Sequence, residues 1–345
     1  MAPRIRRRPL RALLTAFVIA SVAVPVAGAA RPGAVPAPAP AVLAPLGDAD
    51  PAALGERYAA VRADIRAAER TAAGHGDRRR AAVLRGLAGS GRTFLSFDGR
   101  DGGRTAEVIG DLAGAERVAV LVPGADTSLD TYARFHEGAV ALRRELPARS
   151  VVVAWLGYRT PATVSTETLT ADRAERAAPA LRGFVRELSG ALPSARVSVL
   201  CHSYGSVVCA EAAPGLPAAH LVLYGSPGTG ADHRDRLRTG ATVWAGRGTG
   251  DWIAAVPHTR VRLPFTTVGF GTDPVSDAFG AQVFDAGTAG HADYLRPRSL
   301  SLTNIARIVS DRASPHREPA RPVREVGTVP PGGRGTPQVP PARRG

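Results

Sequence analysis

Five short stretches in the middle of the chain, Val118–Val122, Val151–Trp155, Val197–Leu200, Leu221–Tyr224 and Thr242–Trp244, are almost wholly apolar. Helical patterns lie between them, at Leu129–Glu145, Thr170–Ala191 and Ser206–Ala213. A strand with one wetted face alternates apolar and polar residues, whereas a continuous apolar run needs cover on both faces. Strands that alternate with helices are joined as parallel crossovers. The fold class read from this pattern is α/β, a mostly parallel central sheet with helices on both faces. Pro179 is a point at which the second of those helices can break.

The flanks extend the pattern. Phe94–Asp98 and Thr105–Ile109 read as two strands, and the Gly-rich Asp98–Gly103 between them reads as a hairpin turn. Val283–Asp285 is a further strand candidate, and Leu300–Val309 is the closing helix. Asp50-Pro51 opens a helix in which Leu54, Tyr58, Val61 and Ile65 line one face, and a second helix is expected over Arg79–Leu87. The expected organisation is a signal peptide at 1–29, an Ala/Pro-rich linker at 30–49, a helical segment at 50–92, the α/β domain at 93–312 and a Pro/Arg-rich disordered tail at 313–345.

The signal expectation rests on Arg4–Arg11, the apolar run Ala12–Val26 and the small residues Ala27-Gly28-Ala29. Arg6–Arg11 resembles a twin-arginine signal with Pro9 in place of Phe. The mature protein is then secreted or extracytoplasmic, with the apolar run either cleaved or kept as a membrane anchor. The net charge of +14 would suggest nucleic acid, but its distribution argues otherwise. Five arginines lie in the first 11 residues and a net +5 lies beyond position 311, leaving +4 for the 300 residues between. No basic stripe interleaved with aromatic residues runs through that middle, so no nucleic-acid partner is expected. The basic tail is the segment that could touch an acidic envelope surface.

The chemistry concentrates at Val197–Val208. Val197-Ser198-Val199-Leu200 reads as a buried strand, Cys201-His202-Ser203-Tyr204-Gly205 as a tight turn, and Ser206 onward as a helix. A sharp strand-to-helix turn raises a serine hydroxyl above the sheet and aims the helix amides at it, where they favour developing negative charge. Such a turn crowds the positions two before and two after the serine, and Cys201 and Gly205 are both small. The two cysteines, Cys201 and Cys209, read as buried thiols, because Cys209 is expected to point away from the strand, with a local disulfide, which export would permit, as the alternative.

On these residues the chain resembles the α/β-hydrolase superfamily, with Cys201 where the G-x-S-x-G pattern has its first glycine. The resemblance implies a nucleophile, Ser203, followed in the chain by an acid and then a histidine. Asp251, in Gly248-Thr249-Gly250-Asp251-Trp252, is the expected acid, with Asp273 and Asp277 as rivals. His291 is the expected base; His258 follows Asp251 too closely, and the side chain of His202 is expected to point away from Ser203. The oxyanion donors expected are the amides of Tyr204 and of Ala125 or Asp126, in the loop Pro123–Thr127. A narrower likeness is to a group of bacterial exported hydrolases. It rests on Val122-Pro123-Gly124, Trp155-Leu156-Gly157-Tyr158, the elbow, Gly225-Ser226-Pro227-Gly228, and His291 with Tyr294-Leu295.

The implied reaction is acyl transfer to water through a covalent acyl-enzyme, with no cofactor and no metal, on a small-molecule or lipid-like ester. Thioester and amide carbonyls are open to the same chemistry. Only 17 residues separate Tyr224 from Thr242, too few for a large lid, so an open esterase site is expected. The alternative is a non-catalytic envelope or binding protein that has kept the fold.

Overall fold

The computed structural model describes residues 36–313, apart from positions 90, 263 and 265. The expected signal, the first part of the linker and nearly all of the basic tail lie outside the described residues.

In chain order the elements are α1 (Pro51–Gly74), α2 (Arg78–Leu87), β1 (Thr93–Asp98), β2 (Arg104–Ile109), β3 (Arg117–Val122), α3 (Tyr132–Glu145), β4 (Ser150–Leu156), α4 (Asp172–Ala191) and β5 (Arg196–His202). They continue with α5 (Gly205–Ala212), β6 (His220–Tyr224), β7 (Thr242–Gly246), β8 (Val261–Arg262), β9 (Thr267–Val268), β10 (Gln282–Val283) and α6 (Leu300–Val309). Eight strands form one sheet in the order β1-β2-β4-β3-β5-β6-β7-β10, and β8 pairs only with β9. The sheet is parallel from β4 through β10, while β2 pairs antiparallel with both β1 and β4.

The apolar runs fill both faces with a period of two. Val118, Val120, Val122, Val197, Val199 and Cys201 pack toward α4 and α5. Ala119, Leu121, Leu200 and Val222 face the opposite core, shared with α1, α2, α3 and α6. Helix α4 is unbroken at Pro179, which forfeits one internal hydrogen bond. That costs about 3 kcal/mol. Burial of Leu181, Val185 and Leu188 against the sheet exceeds it, at roughly 1.5–3 kcal/mol for each such side chain. The helix expected over Leu129–Glu145 is divided into a 3-10 turn, Leu129–Thr131, and α3.

Asp50 caps α1 by accepting from the amides of Ala52 and Ala53, with Pro51 in the first turn where its missing N–H costs nothing. Residues 36–49 contain no helix or strand, yet they are fastened to the domain. The Ala41 amide donates to Asp64 at 3.0 Å, Arg57 reaches the Ala44 carbonyl, the Leu46 amide reaches Glu187, and Leu43 and Leu46 pack against the two cores. No described helix is long and apolar enough to cross a membrane.

The crossovers diverge at the centre of the sheet. From β3 the chain leaves through α3 to β4 on one side, then returns through α4 to β5 on the other. Helices α3 and α4 therefore cover opposite faces, which makes the carboxyl ends of β3 and β5 a topological switch point. Ligands of open α/β sheets bind at such a switch point.

One expectation is corrected. Cys201 and Cys209 are not free thiols but form a disulfide, with 6.4 Å between their Cα atoms. The reading as thiols assumed that α5 has an outward face for Cys209. In fact every residue of α5 except Glu211 is buried, and Cys209 sits one turn into the helix against the end of β5. The bridge closes a short loop around the turn at Ser203. Replacing both cysteines by alanine is expected to cost about 2–3 kcal/mol, from the entropy the cross-link removes from the unfolded chain. That corresponds to a fall in Tm of roughly 5 °C or more. Thermal melts of the two proteins check this, and an unchanged Tm would contradict it.

Candidate active site

The turn between β5 and α5 carries Ser203 at φ +52°, a left-handed conformation that a residue with a Cβ adopts at a cost of roughly 1–2 kcal/mol. Surrounding contacts impose it. The Ser203 amide donates to the Tyr224 carbonyl at 3.0 Å, and the Ser206 hydroxyl donates to the Cys201 carbonyl at 3.2 Å. Gly205 lies so close to β3 that a Cβ there would stand 2.7 Å from the carbonyl oxygens of Val122 and Pro123. Gly124 is equally constrained, since its Cβ would stand 2.6 Å from that of Ser203. The loop after β3 thus runs directly alongside the serine, and Tyr158 fixes it from behind by donating to the Pro123 carbonyl at 2.7 Å.

Three of the predicted residues meet here. His291 Nε2 lies 2.9 Å from Ser203 Oγ, and His291 Nδ1 lies 2.9 Å from Asp251 Oδ1. The carboxylate can only accept, so the proton sits on Nδ1 and Nε2 is left to accept from the serine hydroxyl. Asp251 is almost fully buried, at 3% exposure. Burial pushes its carboxyl pKa up, but hydrogen bonds from His291, from the Tyr294 hydroxyl and from the Ile253 amide outweigh this and hold it below the ordinary value. It is therefore ionised throughout the neutral range.

The loop amides can be assigned from their partners. Asp126, one of the two expected donors in that loop, gives its amide to the Pro161 carbonyl at 3.0 Å. The amides of Ala125 and Tyr204 make no hydrogen bond to other described residues. They flank Ser203 from the β3 loop and from the start of α5. The rival acids lie elsewhere: Asp273 pairs with Arg247 and stands 3.8 Å from His258, and Asp277 is exposed.

Two supporting residues were not identified from sequence. The Tyr294 hydroxyl donates to Asp251 Oδ2 at 2.6 Å and accepts from the Gly248 amide at 3.1 Å. Its pKa is raised, first by burial and then by the carboxylate, so it remains a donor. His202 makes no hydrogen bond to Ser203, but it has a task beside His291. Its Nε2 lies 2.7 Å from the His291 carbonyl, and its ring is 4.9 Å from that of His291. Burial, then the neighbouring His291, push its pKa down to about 4, so it is neutral and donates through Nε2. The spacing His291-x-x-Tyr294 and the histidine directly before Ser203 were the available signals.

Trp252 also lies against His291, with ring centres 4.6 Å apart. The connection after β6, residues 225–241, adds only a 3-10 turn at Arg234–Leu237. The longer excursion follows β7 and carries Asp251, Trp252 and the β8–β9 pair. Among the described residues no group of three or more His, Cys, Asp or Glu side chains is placed to hold a metal ion. Chemically, the cluster offers a polarised hydroxyl, a base in the right tautomer, a buried carboxylate behind it and two amides beside it.

Residues 98–261 match the sequence model of a family described as alpha/beta hydrolase. Among curated proteins, the chain is 28% identical over 255 residues to an uncharacterised protein of Mycobacterium tuberculosis, covering 64% of this chain and 38% of that one. It is 31% identical over 144 residues to an uncharacterised Mycobacterium bovis protein, covering 37% and 54%. The chain thus spans well under half of the first relative's length. Among solved structures, a Xanthomonas campestris α/β serine hydrolase without a lid aligns with TM-score 0.43 at 18% identity, covering 67% of this chain and 98% of that one. An esterase from Mycobacterium marinum aligns with TM-score 0.40 at 15% identity, covering 71% and 90%.

Proposed function

Since the chain has the α/β-hydrolase fold and residues 98–261 match the alpha/beta hydrolase family model, we propose that it is an exported serine hydrolase that cleaves ester-like acyl bonds through Ser203, His291 and Asp251. The observation that carries this reading is the unbroken line of hydrogen bonds from Ser203 through His291 to Asp251, ending on a serine held at φ +52°.

In this mechanism His291 Nε2 takes the hydroxyl proton as Ser203 Oγ bonds to the substrate carbonyl carbon. The carbonyl oxygen becomes an oxyanion and is met by the amides of Ala125 and Tyr204. The imidazolium, stabilised by Asp251, returns the proton to the leaving oxygen as the carbon–oxygen bond breaks. An acyl-Ser203 ester remains and the alcohol departs. Water then attacks that ester with His291 as base, releasing the acid and restoring the serine.

The disulfide supports the extracytoplasmic part of the reading, because such bonds persist in oxidising compartments. The small connection after β6 supports an open esterase site that accepts water-dispersed esters.

One experiment addresses both parts. Protein recovered from the medium or envelope of an expressing bacterium is treated with a fluorophosphonate probe, and its peptides are mapped. The expected result is a label on Ser203 and an N-terminus near Ala30. An unlabelled, correctly folded protein would favour the non-catalytic alternative, and an intact Met1 on released protein would refute cleavage.

A further inference from the structure

Trp252 is the residue after Asp251, and it is 53% exposed. A large aromatic side chain in that state contributes little to the core, yet its position is closely fixed. Asp251 Oδ1, the oxygen that bonds His291, also accepts from the Ile253 amide at 2.9 Å and so caps the 3-10 turn Trp252–Ala255. The carboxylate that orients the imidazole therefore also orients the indole, which lies 4.6 Å from the imidazole at 46°. The Trp252 ring makes no hydrogen bond to any other described residue, and about half of the side chain is open to solvent.

His291 Nε2 is the atom that must protonate the departing oxygen. Whatever is bonded to that oxygen stands next to the imidazole while it is still attached, and the exposed aromatic ring that lies against that imidazole is the indole of Trp252. The carbonyl oxygen, by contrast, is the part of the ester that the amides of Ala125 and Tyr204 meet. The surface beside the imidazole has a definite chemistry. The sequence Trp252-Ile253-Ala254-Ala255-Val256-Pro257 contains no polar side chain, and Trp252, Ala254 and Ala255 are exposed. This segment offers a hydroxyl-rich alcohol such as a sugar no side-chain hydrogen-bonding partner apart from the indole N–H. A planar apolar one could stack on the indole in the offset or edge-to-face manner of aromatic pairs.

Resting on the serine-hydrolase reading above, we propose that Trp252 forms the leaving-group subsite and selects esters of aromatic or other planar apolar alcohols. Trp252 acts in acylation, when the alcohol is still attached. It has no contact with substrate in deacylation, when the alcohol has gone.

The test compares 2-naphthyl acetate with ethyl acetate, which share one acyl-enzyme, in wild type, Trp252→Ala and Trp252→Phe. The expected result is that Trp252→Ala lowers the ratio of kcat/KM for the naphthyl over the ethyl ester by at least about tenfold, with the loss in acylation, and that Trp252→Phe recovers most of it. An unchanged ratio overturns the proposal. An equal loss on both esters, accompanied by slowed deacylation, also overturns it and leaves Trp252 as a positioning residue for His291. Fluorophosphonate labelling separates the two levels: labelled enzyme with an unchanged ratio refutes the subsite alone, and failure to label Ser203 refutes the serine reading and the subsite with it.

Discussion

Ser203→Ala is expected to lower ester turnover by at least about 10⁴-fold, because no other hydroxyl lies within reach of His291 Nε2 among the described residues. The fold should be unaffected, since the change removes one oxygen from a site defined by the packing of Gly124 and Gly205. Ser203→Gly gives a sharper comparison. It should be equally inactive yet more stable than Ser203→Ala, by about 1 kcal/mol, because glycine adopts φ +52° without the clash that a Cβ brings. Turnover assays and thermal melts on the two variants check this. Residual activity near that of wild type in either variant would place the nucleophile elsewhere.

Asp251→Asn is the second change with a large expected effect. The carboxylate accepts on both oxygens, from His291 and the Ile253 amide on one and from Tyr294 on the other. An asparagine has one oxygen and one NH₂. With its oxygen toward Tyr294, the NH₂ faces His291 Nδ1 and draws that nitrogen into the acceptor role. The proton then moves to Nε2, and the imidazole can no longer accept from Ser203. With the oxygen toward His291, the NH₂ faces the Tyr294 hydroxyl, which already accepts from the Gly248 amide. Both arrangements also lose the charge that stabilises the imidazolium. In the serine-protease case the corresponding change costs about 10⁴ in kcat. The expectation here is a loss of at least about 10² in kcat, measured by turnover, with fluorophosphonate labelling slowed in proportion. Asp273→Asn, which alters the contacts of that side chain with Arg247, His258 and the Val275 amide and touches none of Ser203, His291 and Asp251, should lose far less. The reverse outcome would place the acid on the later loop.

Legibility in the sequence followed the range of the interactions. The parallel strands were readable because burial on both faces writes itself into four or five consecutive residues, as at Val118–Val122. The strand order was not, since the insertion of β4 between β2 and β3 depends on pairings between distant segments. Ser203 was readable because its turn is local, and Asp251 and His291 because they follow it in a known order. Tyr294 was visible as part of a motif but not as a partner of Asp251, since that contact spans 43 residues. The disulfide was misread because α5 was assumed to be amphipathic, when it is buried on nearly every side. Residues 36–49 were read as spacer because attachment through single backbone contacts leaves no periodicity in the sequence.

The site hangs from the ends of four strands: Gly124 after β3, Ser203 after β5, Asp251 after β7 and His291 after β10. The bonds that join them span 40 and 88 residues of chain. Contacts of such high sequence separation form only once the intervening loops have been closed, at the entropic cost that makes parallel sheets slow to assemble. A molecule with β10 still unpaired would already have its elbow, because that turn is defined by β3 and its loop, β5, β6 and α5. It would have no base to draw the proton from it. The competence of Ser203 therefore requires the ends of β3, β5, β7 and β10 to be in place together, and a refolding chain is expected to acquire it no earlier than its far-ultraviolet circular dichroism signal returns.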